Sequence, residues 1–143
     1  MKILFLCVAN SARSQIAEAL AKSVFGNSAV VQSAGSEPSG TVNPFAIAVL
    51  KESNIETKTL YSKGIHDLPQ AFLNSLDFVI TLCAEEVCPV FISKAKKLHW
   101  PLPDPANSES RNEETLKLFR STRDEIQNRL LNFSETIGHA DNN

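Results

Sequence analysis

The sequence has few of the features that mark several large classes of protein. Its 143 residues carry a formal net charge of −2, so no basic surface indicates a nucleic acid or an anionic membrane as partner. The longest apolar runs, such as residues 3–9, are far shorter than the roughly 18 residues that suggest a transmembrane helix. With only 5 glycines and 43% hydrophobic residues, the chain is neither collagen-like nor disordered. We therefore expect a globular chain with no nucleic-acid and no membrane partner.

Cysteine is also scarce, and its number is odd. A secreted protein with 3 cysteines would leave one thiol over, whereas a reducing cytosol keeps all of them available for chemistry or packing. The apolar stretch near Met1 is short, and no small-residue cleavage site follows it. We predict a cytoplasmic protein folded as a single domain over residues 1–143.

Strand and helix patterns alternate along the chain. Short apolar runs predict strands at Lys2–Leu6, Ala29–Ser33, Asp77–Leu82 and Lys97–Trp100. Helical spacing predicts helices at Ser14–Phe25, Pro44–Ser53, Leu68–Asn74 and Glu113–Phe133, with a loop at Ala34–Gly40 and a frayed tail after Ile137. The pattern indicates an α/β fold with three layers, in which a four-stranded parallel sheet is flanked by helices in a flavodoxin-like arrangement.

The segment between the first strand and the first helix has the composition of an anion-binding loop. Backbone amides there can surround a tetrahedral oxyanion, and the start of the helix adds positive potential. The residues assigned to oxyanion binding are Val8, Ala9, Asn10, Ser11, Ala12, Arg13 and Ser14. The Arg13 guanidinium can bind two oxyanion oxygens, and Ser14 can donate a hydrogen bond to the Cys7 thiolate. Asn10 tolerates left-handed backbone angles and can brace the loop. The alternative is that Cys7 is a small core residue.

Asp104 lies in a segment stiffened by Pro103 and Pro105. A carboxyl group held opposite the oxyanion can protonate the departing oxygen. The alternative is that Asp104 only caps the following turn. His99 and Trp100 are expected to be packing residues, and the histidines show no zinc-ligand spacing with the cysteines.

Cys83 follows the third predicted strand and therefore lies at the same sheet edge as Cys7. In a regular helix Cys83 and Cys88 would have Cα atoms about 8.5 Å apart, beyond the roughly 7 Å that a disulfide spans. Pro89 pushes Cys88 out of helical conformation, so an irregular segment is favoured if the two thiols are to bond. Two buried structural thiols are the alternative.

Taken together, these residues resemble the thioredoxin-coupled arsenate reductases, which share the low-molecular-weight tyrosine phosphatase fold. The resemblance covers nearly the whole chain, and its motifs keep their order. They are Cys7–Gln15 with Ile16–Ala19, Ser33–Pro38, Asn43-Pro44, Val79–Cys83, Cys88-Pro89, His99-Trp100, Asp104–Ala106 and Arg123–Ile126.

The resemblance implies a role for each site residue and for thioredoxin. Cys7 is then the nucleophile that attacks arsenate, Arg13 and the loop amides bind the oxyanion, and Asp104 assists loss of an oxygen. Cys83 attacks Cys7, expelling arsenite and leaving a Cys7–Cys83 disulfide. Cys88 attacks Cys83 in turn, and the resulting Cys83–Cys88 disulfide is reduced by thioredoxin. Such a chain is expected to be a monomer without a bound cofactor.

Three features of the sequence depart from the family pattern. Ala12 stands where many relatives have a further cysteine, and the spacing of Cys83 and Cys88 is shorter than in the best-known members. Some members bind a potassium ion near the loop, and Asn10, Glu18 and Ser33 resemble parts of that site. Lys63 stands near an expected acidic residue, and its ammonium group would repel a cation, so we predict no metal.

Two other functions are compatible with parts of the sequence. A low-molecular-weight tyrosine phosphatase would use Cys7, Arg13 and Asp104 on phosphotyrosine, because phosphate and arsenate have nearly the same shape. Against this, Ala106 and Asn107 stand where those phosphatases usually carry aromatic residues, and hydrolysis has no use for Cys88. A non-catalytic anion-binding or thiol-sensing module is the remaining alternative.

Overall fold

The computed structural model describes residues 1–84, 93–106 and 113–141, with side chains to residue 138. Within these ranges four strands form one parallel sheet in the order β2-β1-β3-β4. The strands are β1 (Lys2–Cys7), β2 (Val30–Gly35), β3 (Phe78–Thr81) and β4 (Lys96–His99). The helices are α1 (Arg13–Phe25), α2 (Pro44–Glu52), α3 (Gln70–Asn74) and α4 (Glu113–Asp141). The predicted α/β class with a four-stranded parallel sheet is confirmed.

Both faces of the sheet are covered, because β1 alternates its side chains between two hydrophobic cores. Ile3 and Phe5 join residues of α1, α2 and α4 in the larger core, which includes Ile16, Leu50 and Phe119. Leu4 and Leu6 face the other way and pack with residues around α3, among them Leu68, Phe72 and Leu73. A strand buried on both faces reads as a continuous apolar run, which is why β1 was predictable.

Helix α2 begins as its sequence predicts. Asn43 has extended backbone angles, and its side-chain oxygen accepts a hydrogen bond of 2.8 Å from the Phe45 amide. Pro44 occupies the first helical position, where its missing N–H costs no hydrogen bond.

The predicted ends of β2 and α4 are wrong, and most other predicted boundaries differ from the observed ones by one or two residues. Ala34 and Gly35 belong to β2 and not to the following loop, because β2 continues to pair with β1 until Gly35 lies opposite Cys7. The chain after Ile137 was expected to fray, yet α4 continues through Asp141, past the predicted end near Phe133. Phe133 makes edge-to-face contacts with Phe25, Phe78 and Trp100, which hold this part of α4 against the sheet.

The register of the sheet places the candidate site at one edge. Leu6 pairs with Thr81, and Thr81 pairs with His99, so the carboxyl ends of β1, β3 and β4 are level. Cys7, Cys83 and the segment leading to Asp104 all follow these strand ends. None of the described helices is both long enough and apolar enough to cross a membrane.

Candidate active site

The loop between β1 and α1 surrounds the sulfur of Cys7, which is 2% exposed. The Asn10 amide donates a hydrogen bond of 3.3 Å to Cys7 Sγ, and Ser14 Oγ lies 2.8 Å from the same sulfur. Helix α1 begins at Arg13 without a side-chain cap on its first turn. Helix starts leave backbone N–H groups without intrahelical partners, and these favour an anion. These are groups that can stabilise a negatively charged sulfur, and the predicted thiolate of Cys7 stays a prediction.

Asn10 braces the loop from inside. It has a φ of 49°, in the left-handed region, and its side chain is fully buried. Its amide nitrogen donates to Ser14 Oγ at 2.7 Å and to Ser33 Oγ at 3.0 Å. Its side-chain oxygen accepts from the Lys63 amide and from Gln15 Nε2, each at 2.8 Å. The bracing role predicted for Asn10 is confirmed. Its side-chain amide joins the start of α1, strand β2 and the segment at Lys63.

Gln15 is a second brace, and no role was assigned to it from the sequence. Its amide nitrogen also donates to the main-chain oxygens of Asn10, at 3.0 Å, and Tyr61, at 2.8 Å. Gln15 thus ties the first turn of α1 to the segment before Lys63. Its type and position carry no local pattern from which this could be predicted.

Arg13 is held at the rim of the loop by main-chain oxygens. Its Nη1 atom donates to the Leu102 carbonyl at 2.9 Å and to the Leu82 carbonyl at 3.4 Å. Its Nη2 atom lies 4.0 Å from Asp104 Oδ2. The side chain is only 5% exposed, so the guanidinium is a rigid positive charge where β3 and β4 end. Sequence reasoning placed Arg13 in the loop but did not predict these carbonyl partners.

Asp104 has one of the two roles that the sequence left open, the capping of its turn, and its role as a proton donor stays a prediction. Its Oδ1 atom accepts a hydrogen bond of 2.9 Å from the Ala106 amide, so it caps its own turn. Its Oδ2 atom faces Arg13, and the side chain is 37% exposed. One oxygen is therefore used to fix the turn, while the other remains directed to the rim of the loop.

Cys83 lies buried, 1% exposed, at the carboxyl end of the strand next to β1. The Leu82 amide donates to the Leu6 carbonyl at 3.0 Å, which extends the pairing of the two strands to the residue before Cys83. Cys7 and Cys83 are thus brought to the same edge of the sheet, as predicted. Cys88 lies outside the described residues, so its disulfide with Cys83 stays a prediction.

The residues that were compared with a potassium site lie in contact with one another. They are Asn10, Glu18, Ser33 and Lys63. Lys63 Nζ lies 3.0 Å from Glu18 Oε1, and Ser33 Oγ donates to the same oxygen at 2.8 Å. Ser33 in turn accepts from Asn10. No group of three or more His, Cys, Asp or Glu side chains that could hold a metal ion occurs among the described residues. That no metal binds stays a prediction.

Comparisons with known proteins agree on one family. The sequence profile described as low molecular weight phosphotyrosine protein phosphatase matches residues 2–143. The arsenate reductase of Halalkalibacterium halodurans is 43% identical over 136 residues, which cover 94% of this chain and 95% of that protein.

Solved structures point the same way. A structure described as an arsenate reductase in the phosphate binding state has a TM-score of 0.76 at 31% identity, covering 95% of this chain and 98% of that one. A thioredoxin-dependent arsenate reductase of Corynebacterium glutamicum has a TM-score of 0.74 at 29% identity. That match covers 97% of this chain but 62% of the Corynebacterium chain, so the present chain spans less than two thirds of it.

Proposed function

The chain belongs to the low molecular weight phosphotyrosine protein phosphatase family, and we propose that it is an arsenate reductase with Cys7 as its nucleophile. The observation that carries this proposal is a second buried thiol, Cys83, at the same sheet edge as the Cys7 loop. Hydrolysis of a phosphate ester needs one thiolate. Reduction of As(V) to As(III) takes two electrons, and two thiols that become one disulfide supply them. The relative of 43% identity bears the same activity in its name.

In the first step the Cys7 thiolate attacks the arsenic atom of bound arsenate. The loop amides from Val8 to Ser14 and the Arg13 guanidinium hold the oxyanion oxygens. An S–As bond forms and one As–O bond breaks. Asp104 supplies the proton with which that oxygen leaves as water, since its Oδ2 atom faces the rim of the loop. Arsenic remains As(V) in this adduct.

In the second step the Cys83 sulfur attacks the Cys7 sulfur of the adduct. The S–S bond forms, the S–As bond breaks, and its electron pair stays on arsenic, which leaves as arsenite. Cys88 then attacks Cys83, so that Cys7 departs as a thiolate and a Cys83–Cys88 disulfide remains. The Cys88 step rests on the sequence, since Cys88 lies outside the described residues.

The electron donor we propose is thioredoxin, whose dithiol reduces the Cys83–Cys88 disulfide and restores the enzyme. Support comes from the Corynebacterium neighbour, which is described as thioredoxin-dependent. The cycle requires every thiol to return to its reduced form, which favours the cytoplasm. We propose a monomer that needs neither a bound cofactor nor a metal ion.

Hydrolysis of phosphotyrosine by Cys7, Arg13 and Asp104 is the second candidate function. The observation in its favour is the family itself, because the loop that suits arsenate suits phosphate equally. The buried Cys83 thiol would then have no chemical role. The two functions differ in whether turnover consumes reductant.

A coupled assay tests the proposal. Reduced protein is mixed with thioredoxin, thioredoxin reductase and NADPH, and arsenate-dependent NADPH oxidation is compared with arsenite released. We expect one arsenite per NADPH, with no NADPH oxidation when arsenate is omitted. Cys7→Ser and Cys83→Ser should release no arsenite. Cys88→Ser should release about one equivalent per enzyme and then stop, with Cys7 and Cys83 joined in a disulfide that mass spectrometry detects.

Two results would contradict the proposal. Release of phosphate from a phosphotyrosine peptide at a useful rate, without any arsenate-dependent NADPH oxidation, would establish the phosphatase. Normal turnover of Cys88→Ser with thioredoxin would show that the three-thiol relay is wrong and that an external thiol resolves the intermediate.

A further inference from the structure

The proposed reaction leaves unexplained a buried ion pair beneath the loop. Lys63 and Glu18 are each 1% exposed, and their charged groups are 3.0 Å apart. Lysine is almost never fully buried unless it is paired, because removing both charges from water costs several kcal/mol per ion. The pair therefore contributes little to the stability of the fold by itself.

Lys63 is fixed at several atoms, which makes its ammonium group a stationary charge. Its main-chain N–H donates to Asn10 Oδ1 at 2.8 Å, and its carbonyl accepts from the Gly35 amide at 3.0 Å. Its ammonium also donates to the Tyr61 carbonyl at 3.3 Å and lies 4.6 Å from the centre of the Tyr61 ring. Lys22 binds the other carboxylate oxygen of Glu18 at 2.8 Å, but its side chain is 39% exposed.

A chain of hydrogen bonds runs from this pair to the loop, and its direction is set at the Glu18 end. An ionised carboxylate only accepts, so Ser33 must donate its hydroxyl hydrogen to Glu18. The Ser33 oxygen is then an acceptor for the Asn10 amide nitrogen. At the other side of Asn10, the Lys63 amide can only donate, which fixes the Asn10 oxygen as the acceptor.

The last hydrogen bond before the sulfur has a fixed direction as well. With the Asn10 amide oriented, its nitrogen donates to Ser14 Oγ at 2.7 Å. Ser14 has one hydroxyl hydrogen, which is then left for Cys7 Sγ at 2.8 Å. The sulfur thus receives a donor from the hydroxyl as well as from the Asn10 main chain. A sulfur that accepts two hydrogen bonds is favoured as a thiolate.

We propose that Lys63 and Glu18 are a positioning pair for Cys7: Glu18 accepts from Ser33 and, together with the Lys63 main chain, orders Asn10 and Ser14 so that a hydroxyl donates to the sulfur, while the Lys63 ammonium offsets the negative charge of Glu18. This inference rests on the proposed function in one respect only, because both require that Cys7 reacts as a thiolate.

The test measures the Cys7 thiolate without using arsenate. In a Cys83→Ser/Cys88→Ser background Cys7 is the sole cysteine, and the pH midpoint of its alkylation by iodoacetamide reports the thiolate. Arg13 and Asp104 face the rim of the loop, and Glu37 contacts the loop through its main chain. All three stay in place in the variants below, and Lys22 is replaced only in the control. Thermal unfolding of each variant shows whether it is folded.

The pH midpoint of Cys7 alkylation is expected to shift in opposite directions when the two charges are removed one at a time. Lys63→Met removes the cation and should move the midpoint to higher pH by roughly half to one unit. Glu18→Gln removes the anion but keeps an oxygen that can accept from Ser33, and should move the midpoint to lower pH by a similar amount. The Lys63→Met/Glu18→Gln double variant should return close to the parent value.

Lys22→Met is the matched control, since it removes an exposed lysine from the same carboxylate and should leave the midpoint nearly unchanged. A merely structural pair would shift both single variants in the same direction, and that result would overturn the proposal. If Lys63→Met does not fold, Glu18→Gln alone decides, because a rise of its midpoint contradicts the expected sign. Failure of the arsenate assay with these shifts intact would count against the proposed function only.

Discussion

At the scale of single residues, the reactivity of Cys7 depends on which atoms donate to its sulfur. The main-chain N–H of Asn10 donates to it, and the Ser14 hydroxyl lies 2.8 Å away, where the neighbouring hydrogen bonds leave it as the second donor. A hydrogen bond to a charged group contributes about 1.5–3 kcal/mol, whereas one to a neutral thiol contributes less. The hydroxyl should therefore favour the thiolate over the thiol.

Ser14→Ala removes that donor without changing the backbone. We expect the alkylation midpoint of Cys7 to rise by about one pH unit, and kcat/KM for arsenate at neutral pH to fall roughly tenfold. Ser28→Ala is the matched control, since the Ser28 hydroxyl donates to the Phe25 carbonyl at the far end of α1. An unchanged midpoint in Ser14→Ala would show that the hydroxyl does not stabilise the thiolate.

At the scale of elements, the end of β2 must approach the loop very closely. A Cβ atom on Gly35 would lie 2.3 Å from the Val8 carbonyl oxygen and 3.0 Å from the Asn10 amide nitrogen. Both are main-chain atoms of the loop, so a methyl group there displaces the backbone that surrounds Cys7. Glycine at this position is required by the contact between two elements and not by its own backbone angles.

Gly35→Ala should therefore damage both the fold and the site. We expect a loss of stability of about 1–3 kcal/mol by urea unfolding, together with loss of arsenate turnover. Gly138→Ala in α4 is the control, because no atom of the described part of the chain lies within 4 Å of the added Cβ and alanine favours helix. A Gly35→Ala protein with parental activity would mean that the loop tolerates displacement of its backbone.

A surface cluster joins helices α2 and α4. Glu52 accepts hydrogen bonds from Nε and Nη2 of Arg120 and from Nη1 of Arg123, which also donates to the Val49 carbonyl. The hydrogen bond from Arg120, followed by that from Arg123, lowers the pKa of Glu52 from 4.5 to about 2. Because the pKa is lower in the folded chain, this cluster stabilises the fold above pH 4.5, and the contribution disappears as the pH falls toward 2.

Glu52→Gln should consequently be less stable than the parent at neutral pH, and the difference should vanish between pH 4.5 and pH 2. Urea unfolding across that range measures it, and added salt should reduce the difference at neutral pH because the cluster is partly exposed. Glu125→Gln, which removes an exposed pair with Arg129 on the same helix, should have almost no effect. A difference between the parent and Glu52→Gln that persists at pH 2 would contradict the assignment.

The elements also show what the sequence can and cannot predict. The order of strands and helices and the Cys7 loop were predictable, because each depends on local patterns such as the apolar run of β1 and the cap at Asn43. The extension of β2 to Gly35 was not, since it depends on pairing with Cys7 across the sheet. The burial of Lys63 against Glu18, 45 positions away, also has no local signal.

At the scale of the whole molecule, the site joins segments that are far apart in sequence. Arg13 on α1 binds carbonyl oxygens after β3 and before Asp104, while Asn10 binds Ser33 and Lys63. Global unfolding must break these contacts and destroy the oxyanion site at the same time. A ligand that binds only the folded chain therefore raises its free energy of unfolding.

Inorganic phosphate, which has the shape of arsenate but is not reduced, should stabilise the protein through this coupling. At a phosphate concentration of one hundred times Kd we expect the free energy of unfolding to rise by about 2.7 kcal/mol, and the melting temperature to rise with it. Arg13→Lys keeps the charge but loses the two-pronged donor, so the same rise should need a higher phosphate concentration. Sodium chloride at equal ionic strength separates specific binding from screening. If phosphate and chloride have the same effect on the parent chain, the loop does not bind a tetrahedral oxyanion, and the first step assigned to Cys7 loses its substrate site.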